Sequence, residues 1–220
     1  ECTKALRHPN IVAFLDGGNF DGKFYFLLEY CDQGSVSDLM AKLGGRIPLP
    51  QAAPLMLQAI DALAFAHAKD IVHRDMKPPN LLLSGEGGGL ILKVSDFGLA
   101  KDFRLAGMSG VTEIDMAAGT LAYAPREQLL NFRFTLPASD VFSLGATFYT
   151  MLTGAKVYDF DTAKEPLEVV LEGRTVPLLT RDPALPPKLA AVIDRALSVE
   201  AKDRQENGGV FKAELAAALG

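Results

Sequence analysis

The chain carries only two cysteines, Cys2 and Cys31, in 220 residues. So few exclude a disulfide framework and fit a reducing, cytoplasmic compartment. Neither has neighbours resembling a metal site, and both read as packing residues. No apolar run approaches the roughly 20 residues that span a bilayer as a helix. No signal peptide opens the sequence, so no membrane segment is expected. Positive charge is not concentrated either: 22 Lys and Arg stand against 27 Asp and Glu, for a net charge of -5. Without a basic stripe, nucleic acid is not an expected partner. Internal repeats and low-complexity segments are also lacking. With 49% hydrophobic residues, the chain has enough apolar material to bury a substantial core as one or two lobes.

One stretch departs from this ordinary background. His73-Arg74-Asp75-Met76-Lys77-Pro78-Pro79-Asn80 is followed by Asp96-Phe97-Gly98. Between apolar segments it supplies an acid able to act as a base, a cation and two side chains able to ligate a metal. Asp75 and Asn80 are five residues apart across two prolines, a spacing that suits a rigid loop and rules out a continuous helix. Asp96 follows the strand-like run Leu90-Ile91-Leu92-Lys93-Val94 and is delivered at a strand end. Taken singly, Asp75 or Asp96 would be an ordinary turn residue. The full set in fixed order should arise by chance in a chain this long on the order of once in ten thousand.

Around this loop the pattern is mixed. Ile11–Leu15 and Phe24–Leu28 are β-prone runs separated by a Gly- and Asp-rich stretch and read as a hairpin. Ser35 is placed to cap a helix through Leu43. A longer helix runs from about Gln51 to Lys69, with Met56, Ala59, Ile60, Leu63, Ala66 and His67 on one face. A second hairpin, Leu81–Leu83 with Leu90–Leu92, encloses a glycine-rich turn. That turn lacks the strand-to-helix context of a phosphate-binding loop. Residues Asp140–Thr153 are apolar on most sides and belong in the middle of a core. Pro186-Pro187 opens an amphipathic helix.

These elements resemble the latter part of a bacterial-type serine/threonine protein kinase domain from Arg7 onward. The resemblance implies an α+β fold, with a remnant of a β-rich N-lobe over 1–30 and a mostly helical C-lobe over 31–220. It implies ATP and magnesium as cofactors and a protein bearing serine or threonine as substrate. Asp75 would accept the substrate hydroxyl proton, and Lys77 would offset charge on the transferring phosphoryl group. Asn80 and Asp96 would ligate magnesium. Leu28 resembles the gatekeeper, the Glu29 carbonyl and Cys31 amide would meet adenine, and Leu82 would lie beneath it. Thr120, in Gly119-Thr120, resembles the start of the substrate-docking loop, and with Lys77 favours serine or threonine over tyrosine. Asp140 would hold the catalytic-loop backbone, and Arg204 would pair with Glu127. Ser109 and Thr112 are candidate phosphorylation sites that could pair with Arg74.

Two departures qualify the resemblance. No glycine-rich loop or strand lysine precedes His8. Taken alone, this polypeptide is therefore expected to catalyse poorly and to bind ATP weakly. Its amino-terminal strands are expected to be loosely held and to promote self-association. Further on, Tyr123-Ala124-Pro125-Arg126-Glu127 has Arg126 where proline would stiffen the family's turn. The competing readings are a binding or scaffold module of pseudokinase type and a small-molecule phosphotransferase. The first has no physical need for Asp75, Lys77, Asn80 and Asp96 together. The second has no need for a peptide-docking segment.

Overall fold

A computed structural model describes residues 6–21, 23–85, 89–97, 121–131, 135–160 and 164–220. The chain folds into two small antiparallel hairpins and a set of helices around one continuous apolar core. In the first hairpin β1 (Phe14–Phe20) pairs with β2 (Lys23–Leu28), from Phe20 opposite Lys23 to Phe14 opposite Leu28. A bulge lies between Phe14 and Asp16. The strand thus begins later and runs further than the apolar run Ile11–Leu15 suggests. Asp21, at the tight turn, has φ 50°, the left-handed conformation that two-residue hairpin loops require. Gly17 and Gly18, expected in the turn, lie inside β1. A Cβ on Gly18 would meet the Tyr25 ring at 3.0–3.1 Å, so the absence of a side chain there gives the ring its seat.

Ile11 and Val12 are apolar for a different reason. Both are buried, and Ile11 bridges Val94 in parallel. The Val12 N–H donates to the Val94 carbonyl (3.0 Å), and the Val94 N–H donates to Asn10 (2.8 Å). Asn10 Nδ2 reaches the Leu92 carbonyl and Gln58 Oε1. The first hairpin is thereby stitched to the second, β3 (Leu81–Ser84) with β4 (Ile91–Val94). The outer part of the first hairpin is less covered. Leu15, Phe20, Tyr25, Phe26 and Leu27 are exposed.

The helical part begins at α1 (Val36–Lys42), where Ser35 and Asp38 form a reciprocal capping box. The long α2 (Leu49–His67) starts two residues earlier than its apolar periodicity suggests, because Pro50 is well tolerated in a first turn. The short α3 (Arg126–Leu130) precedes α4 (Pro137–Thr153), in which every residue from Ala138 to Leu152 is buried. This is the all-round apolar helix expected for the core, and it ends at Gly154 with φ 73°. Around it lie α5 (Pro166–Glu172), α6 (Leu178–Arg181), α7 (Pro187–Ala196) and α8 (Gly208–Leu219). The last packs along α2 closely enough that a Cβ on Gly208 would meet the Ala64 backbone nitrogen at 2.7 Å.

Candidate active site

The catalytic-loop sequence leaves α2 and crosses the core helix before reaching β3. Its backbone is held at nearly every residue. Asp140 of α4, fully buried, accepts the His73 N–H at Oδ2 (2.6 Å) and the Arg74 N–H at Oδ1 (2.7 Å). Gln128 Nε2 donates to the Arg74 carbonyl (2.7 Å), and Thr147 Oγ1 donates to that of Met76 (3.4 Å). Arg74 sits at φ 75° and Asp96 at φ 61°. Non-glycine residues in the left-handed region cost energy, and persist only where surrounding contacts hold them. For Arg74 those contacts are the Asp140 carboxylate and the Gln128 amide.

Two histidines complete the scaffold with defined tautomers. The Gly208 N–H donates to His67 Nδ1 (2.9 Å), so the proton on His67 lies on Nε2, facing Asp140 Oδ2 at 2.9 Å. The Asp75 N–H donates to His73 Nδ1 (3.2 Å), so His73 Nε2–H donates to the Ser95 carbonyl (2.7 Å). The His73 ring also meets the buried Phe97 edge-on, with centroids 4.6 Å apart. Together these contacts tie the segment before Asp75 to the one carrying Asp96.

The side chains of the motif converge on this support. Lys77 Nζ lies 2.9 Å from Asp75 Oδ2, and Asn80 Nδ2 donates to the same oxygen (2.9 Å) and to the Asp75 carbonyl (2.7 Å). The Asp75 side chain remains 41% exposed, open to an incoming group. Ser95 links Asn80 to Asp96: its N–H and Oγ donate to the Asn80 carbonyl, and Oγ also approaches Asp96 Oδ2 (3.3 Å). Both amide protons of Asn80 are committed to Asp75, which leaves Oδ1 as its remaining acceptor atom. Asn80 Oδ1 and the Asp96 carboxylate are both hard oxygen donors, on residues connected through Ser95. They fit magnesium, which takes one or two protein oxygens plus substrate phosphates.

Further along, Glu29 follows β2 directly, and its N–H donates to the Ala13 carbonyl (2.9 Å). Cys31 is a half-buried free thiol. Leu82 pairs across the strands with Lys93 and bridges to Ser35. Gly98, Ser109, Thr112, Gly119 and Thr120 lie outside the described residues.

A family model for the protein kinase domain matches residues 1–212. The chain belongs to the protein kinase family. It is 34% identical over 219 residues to the serine/threonine-protein kinase PknA of Mycobacterium tuberculosis, covering 98% of this chain and 48% of PknA. It therefore spans about half the length of that relative. Its fold matches the Mycobacterium tuberculosis PknI kinase domain at TM-score 0.72, with 22% identity over 99% of this chain and 75% of that one. A structure of Rad53 1-466 in complex with AMP-PNP matches at TM-score 0.74, with 24% identity over 99% of this chain and 52% of that one.

The kinase-domain turn with its unusual arginine keeps its ion pair. Arg204, with its side chain 1% exposed, donates to both carboxylate oxygens of Glu127, Nη1 to Oε1 at 2.6 Å and Nη2 to Oε2 at 3.2 Å. It also donates to the carbonyls of Ser198, Ala138 and Val199 and lies over the Phe142 ring. Burial pushes the Glu127 carboxyl upward, but Arg204 and the Ser139 hydroxyl outweigh it and hold the group below its usual range. Arg126, where proline was expected, turns outward to pair with Glu200. The turn forms without the proline because Glu127 is anchored from behind.

Sequence reasoning missed several supporting residues. Thr147 carried a faint signal as a polar residue in an apolar helix. Gln128, Ser95 and Lys93 carried none, since each sits in an unremarkable sequence context.

Proposed function

We propose that this chain is the catalytic domain of a serine/threonine protein kinase, transferring the ATP γ-phosphate to a protein hydroxyl. The observation that carries the reading is the Asp75–Lys77–Asn80 cluster. The Lys77 and Asn80 side chains converge on one oxygen of the Asp75 carboxylate, over a backbone locked by Asp140. Lys77 and Asn80 both use Oδ2, which leaves Oδ1 to receive the proton of a serine or threonine hydroxyl. Lys77, beside the acceptor, offsets charge on the phosphoryl group. Asn80 and Asp96 would hold magnesium, which would neutralise phosphate charge when bound. The Glu29 carbonyl and Cys31 amide would bind the adenine edge over Leu82, and Thr120 would belong to the peptide-docking side. Lys77 and Thr120 favour serine and threonine over tyrosine. ATP as donor implies a cytoplasmic site, in keeping with the scarcity of cysteine. Among the described residues, no helix is long and apolar enough to cross a membrane.

The test is Asp75→Asn in the full-length protein, assayed for phosphate transfer to a serine- and threonine-bearing protein. General-base loss typically costs about 10²–10⁴-fold, and this variant should lose at least that. A rate within threefold of wild type would remove Asp75 from the mechanism and favour a binding module instead.

A further inference from the structure

Glu29 does more than end a strand. Its N–H donates to the Ala13 carbonyl (2.9 Å), and its carboxylate takes the Ala13 N–H in return at Oε2 (3.1 Å). The other oxygen, Oε1, lies 2.9 Å from Lys93 Nζ. Lys93 belongs to β4, directly opposite Leu82 and three residues before Asp96. Its side chain is 13% exposed and that of Glu29 31%, so the pair is largely withdrawn from solvent. Burial would raise the Glu29 carboxyl, yet Lys93 and the Ala13 N–H hold it below its ordinary value. One side chain thus joins three segments: the residue leaving β2, the strand leading to Asp96, and the stretch 10–13 that is itself bonded to β4.

An ion pair on an open surface would contribute little. This one closes a ring of contacts around residues 29–31, whose backbone has few other bonds. Among the described residues, the Tyr30 and Cys31 N–H groups make no hydrogen bond within the chain, and Tyr30 is almost wholly exposed. Without the Glu29 anchor, the segment would be held chiefly by its two ends.

We infer that Lys93 is a positioning residue for nucleotide binding: through the Glu29 carboxylate it pre-orders the backbone of residues 29–31, and so sets the affinity for adenine nucleotides. The inference rests on the reading of that backbone as the adenine-binding segment. Lys93 touches no nucleotide in this scheme. It acts by removing an ordering cost that would otherwise be met on binding.

The experiment uses the full-length protein with Lys93→Met and Lys93→Arg. Two quantities are read: the Kd for ADP by calorimetry, and hydrogen exchange at the Ala13 amide without nucleotide. Lys93→Met should raise the Kd about 3–10-fold, the scale of ordering one side chain and its segment, and should speed Ala13 exchange. It should leave the maximal phosphorylation rate at saturating ATP within twofold. Lys93→Arg should restore both readings. Faster exchange with an unchanged Kd would make the pair merely structural and overturn the proposal. Unchanged exchange would show that Lys93 does not hold Glu29 at all, with the same consequence. If wild-type protein bound no ADP, the adenine reading itself would fall, and the affinity claim with it; exchange would still report on the pair alone. Should Lys93→Met fail to fold, Glu29→Gln keeps an oxygen for Ala13 and removes the charge facing Lys93. It carries the same expectations for Kd and exchange.

Discussion

Replacing Glu127 with Gln tests how the turn into α3 is held. The substitution keeps nearly the same shape but removes the charge opposite Arg204, whose side chain is 1% exposed and donates to three backbone carbonyls as well as to Glu127. Those carbonyls cannot neutralise a guanidinium. Breaking a buried pair from one side typically costs about 3–5 kcal/mol. Glu127 is 31% exposed, so water can partly replace it, and the lower end, about 3 kcal/mol, is the expectation. For a domain of this size about 2–4 °C is lost per kcal/mol, which gives a fall in Tm of about 6–12 °C. The pH dependence is an independent check. The folded-state pKa of Glu127 is depressed, so its contribution is complete above the unfolded carboxyl pKa and is lost as pH falls through the folded value. The gap between wild type and Glu127→Gln should therefore be constant near neutrality and narrow below about pH 4.5. Urea melts at pH 7 and at several acid pH values would measure both. A loss under about 1 kcal/mol at pH 7, or a gap that stays constant into acid, would refute the reasoning. The double replacement Glu127→Leu with Arg204→Met should be less damaging than either single change, since it leaves no stranded charge.

Two further outcomes follow from close packing and burial. Gly208→Ala would press a methyl group against the Ala64 backbone at 2.7–2.9 Å, where no side chain can yield. A loss of about 1–3 kcal/mol is expected in urea melts, and a neutral result would mean that α8 can slide along α2. Burial, and next the nearby Glu29 carboxylate, raise the Cys31 thiol above its ordinary value. Iodoacetamide should therefore modify Cys31 more slowly than an exposed cysteine peptide at pH 7.5. Alkylation at the peptide's rate would contradict that placement.

The chemistry of the site was legible because it is written in one continuous stretch. Asp75, Lys77 and Asn80 stand within six residues, and the prolines between them exclude a continuous helix, so their proximity needed no knowledge of tertiary structure. Helix starts were legible for a similar local reason, through Ser35 and the paired prolines before α7. What failed was the inference of a partner from an apolar run. Ile11 and Val12 looked like the first hairpin's own strand, yet their burial comes from β4, eighty residues away in sequence. Apolarity records that a segment is covered but not by what. The same limit applies more sharply to polar support. Lys93 alternates with Leu92 and Val94 as a solvent-facing strand residue would, and nothing local distinguishes it from one. Its partner, Glu29, is separated from it by 64 positions, and only the register Leu82 to Lys93 and the return of residues 10–13 to β4 bring the two together. The motif side chains of this site are thus local in sequence, whereas Asp140 and Gln128, which hold the backbone beneath them, come from distant parts of the chain. A loop can supply chemistry from a few adjacent residues, but it can be kept in a strained conformation only by elements that do not move with it.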